Sequence, residues 1–171
     1  MLIGIDVDDT LVNSSESFDN LIKNNNINFS KKFNDKWTKE EKRIIFENYL
    51  KDTLTNAKLK KDAKDVLNYL ESIGYKLIII TARNNKNCEG IEEFTIDFFK
   101  KEGIKISEYY FGEFKKSDIA KDLNIDLMID DNEMVYKNMK DENIECILFG
   151  NRIKSWKEVL EYIESKVKYN G

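Results

Sequence analysis

Short runs of consecutive apolar residues mark five predicted strands along the chain. The strongest three are Leu2–Ile5, Leu77–Ile80 and Leu127–Ile129, and each is too short and too uniformly apolar for an amphipathic helix. Two weaker candidates are Tyr109–Phe111 and Cys146–Phe149. Uninterrupted apolar runs of this kind are typical of strands buried on both faces, as in parallel sheets.

Between the predicted strands, apolar residues recur with the spacing of amphipathic helices. The predicted helices are Asp62–Ile73, Ile91–Glu102, Ser117–Leu123, Glu133–Asp141 and Ser155–Val167. Gly74 and Gly103 follow two of them, where a left-handed residue commonly ends a helix. The alternation of strands and helices predicts an α/β fold, with a Rossmann-like parallel sheet, right-handed crossovers and helices on both faces.

The segment from residue 13 to residue 61 breaks this alternation, because it contains no convincing strand. Helical spacing is present around Phe18–Ile22 and over Lys39–Lys51, and the run Asn24–Asn26 predicts a loop. We therefore expect a core domain formed by residues 1–12 and 62–171. Residues 13–61 are expected to form a small helical cap inserted after the first strand.

Composition narrows the possible chemistry. The 171 residues carry a net charge of −4, which gives no support to binding of a nucleic acid polymer. No histidine is present, so an imidazole base and a histidine metal site are excluded. Two cysteines, Cys88 and Cys146, suit a reducing, cytoplasmic setting. The first apolar run reaches Asp6 too early for a signal peptide and no stretch approaches the length of a membrane span, so we expect no membrane partner.

Polar side chains suited to one chemistry follow each of the three strongest strands. These groups are Asp6–Asp8, Thr81–Arg83 and Asp130–Asn132, and Lys115–Lys116 opens the helix that precedes the third strand. Ligands of open α/β sheets bind at the carboxyl ends of the strands. We therefore expect these side chains to converge, although they are far apart along the chain.

The charges of that set indicate a metal and a phosphate. Asp6, Asp8, Asp130 and Asp131 would repel one another in one pocket, and Mg²⁺ is a cation that takes such hard oxygen ligands together with substrate phosphate oxygens. A bound phosphate would also need a lysine and hydroxyl or backbone N–H donors. The implied chemistry is attack of a carboxylate on phosphorus, with a second carboxylate acting as the acid.

These motifs, in this order, resemble the haloacid dehalogenase superfamily of phosphohydrolases. The resemblance rests on Asp6-x-Asp8-x-Thr10, then Thr81 after an apolar strand, a lysine, and the pair Asp130-Asp131. Within that superfamily, Ile80–Arg83, Ile129–Asn132 and Ser155-Trp156 look like the 5'-nucleotidase group related to cytosolic deoxyribonucleotidases. The resemblance implies a Mg²⁺-dependent phosphomonoester hydrolase that acts on a small phosphorylated substrate, in this group a nucleotide.

The resemblance also implies roles for the residues of the first motif. Asp6 would be the nucleophile, forming an aspartyl-phosphate, and would ligate Mg²⁺ through one oxygen. Asp8 would protonate the leaving alkoxide and then activate water, while its backbone carbonyl contacts the metal. Thr10 would support the turn, and Asp9 is expected to face away from the site.

For the later motifs, the resemblance implies phosphate binding by Thr81 and by the backbone N–H of Ala82. Lys116, with Lys115 as the alternative, would neutralise the phosphoryl group. Asp131 would ligate the metal with Asp130 in support. For Arg83 a supporting role at the site and a surface ion pair remain open.

The substrate pocket is the least defined part of the prediction. Deoxyribonucleotidases of this group commonly place a base-stacking aromatic soon after the first motif, but here Asn13, Ser14 and Ser15 follow. The candidate pocket residues are therefore aromatic residues of the insertion: Phe18, Trp37, Phe46 and Tyr49. Except for Phe18, they could instead form a small core of the cap.

Two alternative functions remain. One is a phosphatase of a sugar phosphate or another small metabolite. The other is a receiver-like phosphoryl-binding signalling module, which ranks lower because such modules carry their acidic pair first, whereas here it comes last.

Overall fold

A five-stranded parallel sheet forms the centre of the molecule. The computed structural model describes residues 1–25, 38–112 and 114–170. The strands are β1 (Leu2–Ile5), β2 (Lys76–Thr81), β3 (Glu108–Phe111), β4 (Leu127–Asp130) and β5 (Cys146–Leu148), in the spatial order β3-β2-β1-β4-β5. Every neighbouring pair is parallel. The five predicted strands are confirmed, with ends displaced by one residue at most.

Eight helices are present in the described part of the chain. They are α1 (Ser14–Asn24), α2 (Lys39–Asn48), α3 (Leu50–Asn56), α4 (Ala63–Ser72), α5 (Ile91–Lys101), α6 (Lys116–Asp122), α7 (Glu133–Asp141) and α8 (Trp156–Asn170). The predicted helices are confirmed to within three residues at each end, and Gly74 and Gly103 have the expected positive φ values of +91° and +69°. The helix expected over residues 39–51 differs, because it ends before Tyr49 and α3 begins after it.

The two faces of the sheet are buried by different helices. Ile3, Ile5 and Ile79 point to the face covered by α4, α5 and α8. Ile80 and Met128 point to the opposite face, which α6 and α7 cover. Burial on both faces explains why the strands are uniformly apolar in sequence. The predicted α/β class, with a Rossmann-like parallel sheet and helices on both faces, is confirmed.

The segment that carries helices α1 to α3 begins and ends at the same place beside the sheet. Val12 forms an antiparallel bridge with Leu59, and the backbone N–H of Asn13 donates to the carbonyl of Lys58 at 2.9 Å. The N–H of Lys60 in turn donates to the carbonyl of Leu11 at 2.8 Å. The two ends of the segment between β1 and α4 are thus bonded side by side. The proposed boundary between the core and the cap lies where residues 11–13 pair with residues 58–60.

None of the helices within the described residues combines the length and the apolar character that crossing a membrane would require.

Gly4 allows close packing in the centre of the sheet, two residues before Asp6. A Cβ atom at this position would lie 2.9 Å from Met128 Sδ and 3.0 Å from Ile80 Cδ1. Both side chains belong to the core beneath α6 and α7. Any side chain at position 4 must therefore displace that core.

We expect Gly4→Ala to lower the free energy of unfolding by about 1–3 kcal/mol, because overpacking forces neighbouring side chains from their preferred rotamers. Denaturant unfolding followed by circular dichroism measures this. Lys137→Ala, at an exposed position of α7, is the control. A Gly4→Ala variant as stable as the wild type would show that the core relaxes without cost.

Candidate active site

Asp6 lies at the carboxyl edge of the sheet, directly after β1. Its backbone N–H donates to the carbonyl of Ile129 at 3.0 Å, so Asp6 is held by the ladder that pairs β1 with β4. The chain then turns back sharply, with φ of +57° at Asp9 and a 2.9 Å bond from the N–H of Leu11 to the carbonyl of Val7. The sheet thus fixes Asp6, and a tight turn follows it.

Thr10 and Trp156 fasten the far side of this turn. The indole Nε1–H of Trp156 donates to the carbonyl of Thr10 at 3.1 Å, and both residues are fully buried. The Thr10 hydroxyl donates to Asp131 Oδ1 at 3.4 Å, a long bond. Trp156 therefore does more than pack in the core, since it holds the loop that carries Asp6 and Asp8.

Lys116 bridges two of the carboxylates. Its Nζ lies 2.6 Å from Asp6 Oδ1 and 2.7 Å from Asp130 Oδ2, and the three side chains are largely buried. Burial alone would lower the pKa of Lys116, but the two carboxylates raise it, so the ammonium stays charged. Lys115 is exposed and instead lies near Asp118, which leaves Lys116 as the lysine at the site.

Asp8 is held by Arg83. The guanidinium donates from Nε to Asp8 Oδ2 at 2.9 Å and from Nη2 to Asp8 Oδ1 at 2.6 Å, and the Ser14 hydroxyl also donates to Oδ1. Burial works to raise the pKa of Asp8, but Arg83 outweighs it and holds that pKa below its ordinary value. The ion pair of Arg83 therefore lies within the site and not at the surface, and its supporting role stays a prediction.

Three carboxylates come together beside Lys116. Oxygens of Asp6, Asp130 and Asp131 all lie within 4.8 Å of one another. Asp130 Oδ1 also accepts from the backbone N–H of Asn132 at 2.9 Å, and Asn132 caps the start of α7. Asp130, expected only in support, therefore belongs to the same cluster as Asp6 and Asp131, the two metal ligands proposed to act through their side chains.

The cluster carries more negative charge than the protein itself balances. Burial raises the pKa of Asp6, an effect that Lys116 opposes and Asp130 reinforces. Burial together with the charges of Asp130 and Asp9 raises the pKa of Asp131 to about 6. Hard oxygen donors with unbalanced charge fit a small divalent cation. The residues present therefore suit Mg²⁺.

A cleft of about 660 Å³ opens above the cluster. Its lining includes Thr81 and Ala82, at and just after the end of β2, together with Phe114 and Lys116. Thr81 is buried and its Oγ1 accepts from the backbone N–H of Arg83 at 3.3 Å, whereas Ala82 is exposed. Every predicted catalytic, phosphate-binding and metal-binding residue thus lies in or beside one cleft.

Two expectations from the sequence are wrong. Asp9 does not face away: it lines the cleft, and its carboxylate accepts from the backbone N–H and the hydroxyl of Ser15 at the start of α1. Phe18 is fully buried, so its ring has no surface open to a substrate. The reason is geometric, because α1 turns Phe18 inward on the apolar face of an amphipathic helix.

The other candidate aromatics differ in position. Phe46 is 46% exposed and lines a pocket beside Asp8, whereas Tyr49 is half-buried and lines no part of that pocket. Trp37 lies outside the described residues. Sequence reasoning missed Ser14 and Thr95, which bind Asp8 and Arg83, because isolated hydroxyl residues at helix starts and within helices carry no distinctive signal.

Comparison with solved structures shows the fold. A hydrolase of the haloacid dehalogenase-like family from Streptococcus pneumoniae superposes with a TM-score of 0.63 at 16% identity, covering 98% of this chain and 97% of that chain. The chain has the fold of these hydrolases. A predicted phosphatase from Clostridium acetobutylicum gives a TM-score of 0.59 at 17% identity, covering 98% of each chain.

A predicted phosphoglycolate phosphatase from Haemophilus somnus gives a TM-score of 0.60 at 17% identity, covering 95% of this chain and 97% of that chain. No protein-family model and no curated protein matches the sequence. At these identities the likeness concerns the haloacid dehalogenase-like fold alone.

We expect Mg²⁺ to raise the unfolding temperature more at about pH 8 than at about pH 5. The folded-state pKa values of Asp6 and Asp131 are raised, so the metal-free protein loses stability as the pH rises from about 4 towards those values. A cation needs both carboxylates ionised, and it then relieves their repulsion. At a hundredfold excess over Kd the gain is about 2.7 kcal/mol, or about 5–10 °C.

Thermal unfolding with and without millimolar MgCl2 at both pH values measures this difference. Asp131→Asn is expected to reduce the gain at pH 8, and Asp141→Asn, at an exposed position, to preserve it. Equal gains at both pH values would contradict the assignment of this cluster as the metal site.

Proposed function

We propose that the protein is a Mg²⁺-dependent phosphomonoester hydrolase that works through an aspartyl-phosphate on Asp6. The observation that carries the proposal is the buried ion pair of Asp6 and Lys116 within a three-carboxylate cluster, facing an open cleft. Such a site combines a nucleophile, a fixed positive charge and the ligands for a divalent cation. The haloacid dehalogenase-like fold adds support.

Asp6 and Lys116 carry the first step. A carboxylate oxygen of Asp6 bonds to phosphorus while the bond from phosphorus to the ester oxygen breaks, and the leaving alkoxide takes a proton from Asp8. The ammonium of Lys116, 2.6 Å from Asp6 in the free protein, is placed to offset charge on the transferring group. Thr81 and the backbone N–H of Ala82 are assigned to the other phosphate oxygens.

Water completes the reaction. Asp8 takes a proton from the water that attacks phosphorus, and the bond from Asp6 to phosphorus breaks to give inorganic phosphate and a free Asp6 carboxylate. The cation, bound by Asp6 and Asp131 with Asp130 beside them and the Asp8 carbonyl as a further ligand, would supply Lewis-acid stabilisation of the phosphoryl oxygens.

We further propose a nucleoside monophosphate as substrate. A pocket of about 230 Å³ adjoins the cleft and shares Asp8 and Ala82 with it. Its walls are mainly apolar and include Phe46, Leu50 and Leu54 from the insertion, and Cys88 and Ile91 from the opposite side. An apolar pocket with an exposed aromatic at its edge suits a flat base better than a sugar covered with hydroxyl groups.

The two alternatives stand differently. A small-metabolite phosphate remains the competing substrate class, because one structural neighbour is a predicted phosphoglycolate phosphatase. A receiver-like signalling module is disfavoured, because the flavodoxin-like fold of such modules has the strand order 2-1-3-4-5 whereas this sheet has the order β3-β2-β1-β4-β5.

We expect Asp6→Asn to abolish turnover while the fold is retained. An amide is a poor nucleophile towards phosphorus, so the loss should be about 10³-fold or more, and Lys116 still has Asp130 as a partner. Phosphate release from a panel of phosphomonoesters measures it, with Asp141→Asn as the exposed control. An Asp6→Asn variant of near-native activity would exclude Asp6 as the nucleophile.

We expect Phe46→Ala to lower kcat/KM for a nucleoside monophosphate about tenfold, since base stacking on an aromatic ring contributes about 1–3 kcal/mol. Tyr69→Ala is the matched control, because Tyr69 is similarly exposed at 43% and lies on α4, outside the pocket. The wild-type kcat/KM is first measured for 5' and 3' ribo- and deoxyribonucleotides and for sugar phosphates. If these values favour sugar phosphates, or Phe46→Ala has no effect, the nucleotide proposal is wrong.

A further inference from the structure

We propose that Arg83 is a positioning residue that orients the carboxylate of Asp8 for proton exchange with the leaving group. This inference rests on the proposed phosphomonoester hydrolysis. The guanidinium of Arg83 donates its hydrogen bonds to Asp8 and Thr95, and not to the three-carboxylate cluster. Its effect on the reaction is therefore exerted through Asp8.

The arginine side chain is fixed in place before it reaches Asp8. Only 4% of it is exposed, and its Nη1 donates to the Thr95 hydroxyl of α5 at 3.0 Å. That hydroxyl in turn donates to the carbonyl of Ile91, one turn earlier in the same helix, at 2.7 Å. The backbone N–H of Arg83 is held separately by Thr81 Oγ1. Because its backbone N–H and its Nη1 are both hydrogen-bonded, Arg83 presents its guanidinium in one orientation.

The orientation of the Arg83 guanidinium determines which oxygen of Asp8 can contact the substrate. Oδ1 accepts from Arg83 Nη2 and from the Ser14 hydroxyl, whereas Oδ2 accepts only from Arg83 Nε among the described residues. A carboxylate oxygen has about two acceptor positions. Oδ2 therefore keeps one position for a proton, and with 27% of the Asp8 side chain exposed we assign Oδ2 as the oxygen that faces the leaving group.

A lysine could not do the same work. An ammonium is a compact point charge, whereas the planar guanidinium holds both carboxylate oxygens at once. If Asp8 needed only a positive charge beside it, the Arg83→Lys variant would keep full activity. If Asp8 must be oriented through both of its oxygens, the Arg83→Lys variant would lose activity.

The test compares leaving groups. Hydrolysis of p-nitrophenyl phosphate releases a weakly basic phenolate that needs little protonation, whereas an alkyl phosphate releases a strongly basic alkoxide that depends on the acid. The ratio kcat/KM covers only the steps up to loss of the leaving group when that loss is irreversible. A misplaced Asp8 therefore lowers kcat/KM for the alkyl ester selectively.

We expect Arg83→Met and Arg83→Lys to lower kcat/KM for 2-phenylethyl phosphate about 30-fold or more, and for p-nitrophenyl phosphate about threefold or less, within the range that acid–base catalysis contributes. Thr95→Val should give a smaller loss with the same selectivity, because it removes only the anchor of Arg83. Arg43→Met, which removes an exposed arginine of α2, is the control and should show no selectivity.

A double-mutant comparison separates positioning from general damage. In an Asp8→Asn background, Arg83→Met should add less than about a twofold loss, because residues that act as one unit are not additive. Circular dichroism and the unfolding temperature of each variant show whether the fold is kept. Merely structural damage would lower both substrates equally and would persist in the Asp8→Asn background.

Three results would overturn the inference: equal losses for the two esters, full activity of Arg83→Lys, or an additive loss in the Asp8→Asn background. Failure of the proposed function looks different. If the wild-type protein with Mg²⁺ hydrolysed neither ester nor any nucleotide, the hydrolase proposal would fall and the role of Arg83 with it. Wild-type hydrolysis with unselective Arg83 variants would overturn the role of Arg83 alone.

Discussion

The structure depends on how one lysine and one arginine divide the charge of the first motif. Asp6 shares Lys116 with Asp130, whereas Asp8 is paired with Arg83, so two carboxylates two residues apart have different cationic partners. Burial raises the pKa of Asp6 although Lys116 opposes it, whereas Arg83 outweighs burial and holds the pKa of Asp8 below its ordinary value. Two carboxyl groups of one motif therefore differ in how readily they hold a proton, because of burial and of the cation beside each.

The sequence predicted most of this site because the physics behind it is simple. Strands buried on both faces must be apolar, and their carboxyl ends must lie at one edge, so Asp6, Thr81 and Asp130 could be placed together from the chain alone. The choice between Lys115 and Lys116 could not be made in this way. It depends on where α6 begins, and one residue of helix turns a side chain by about 100°.

The environment of Arg83 was also beyond the sequence. Whether an arginine is a surface ion pair or a buried clamp depends on which partners the fold brings to it, and Asp8 and Thr95 are 75 and 12 residues away. Phe18 shows the reverse case. An aromatic near a motif suggests a stacking ring, but the helical periodicity of α1 places this one inside. The spacing of apolar residues predicts whether a segment is a helix or a strand, but tertiary packing determines which residues each side chain contacts.

The bond from Trp156 to the carbonyl of Thr10 spans 146 positions of the chain. It joins the turn after β1 to the opening residue of α8, which follows every other residue assigned to the site along the chain. A nascent chain that has not yet reached Trp156 can pair β1 with β2, but it cannot fasten the turn that carries Asp6 and Asp8. The turn is therefore fastened only after residue 156 has been synthesised, later than the carboxylates and Lys116 that it helps to bring together.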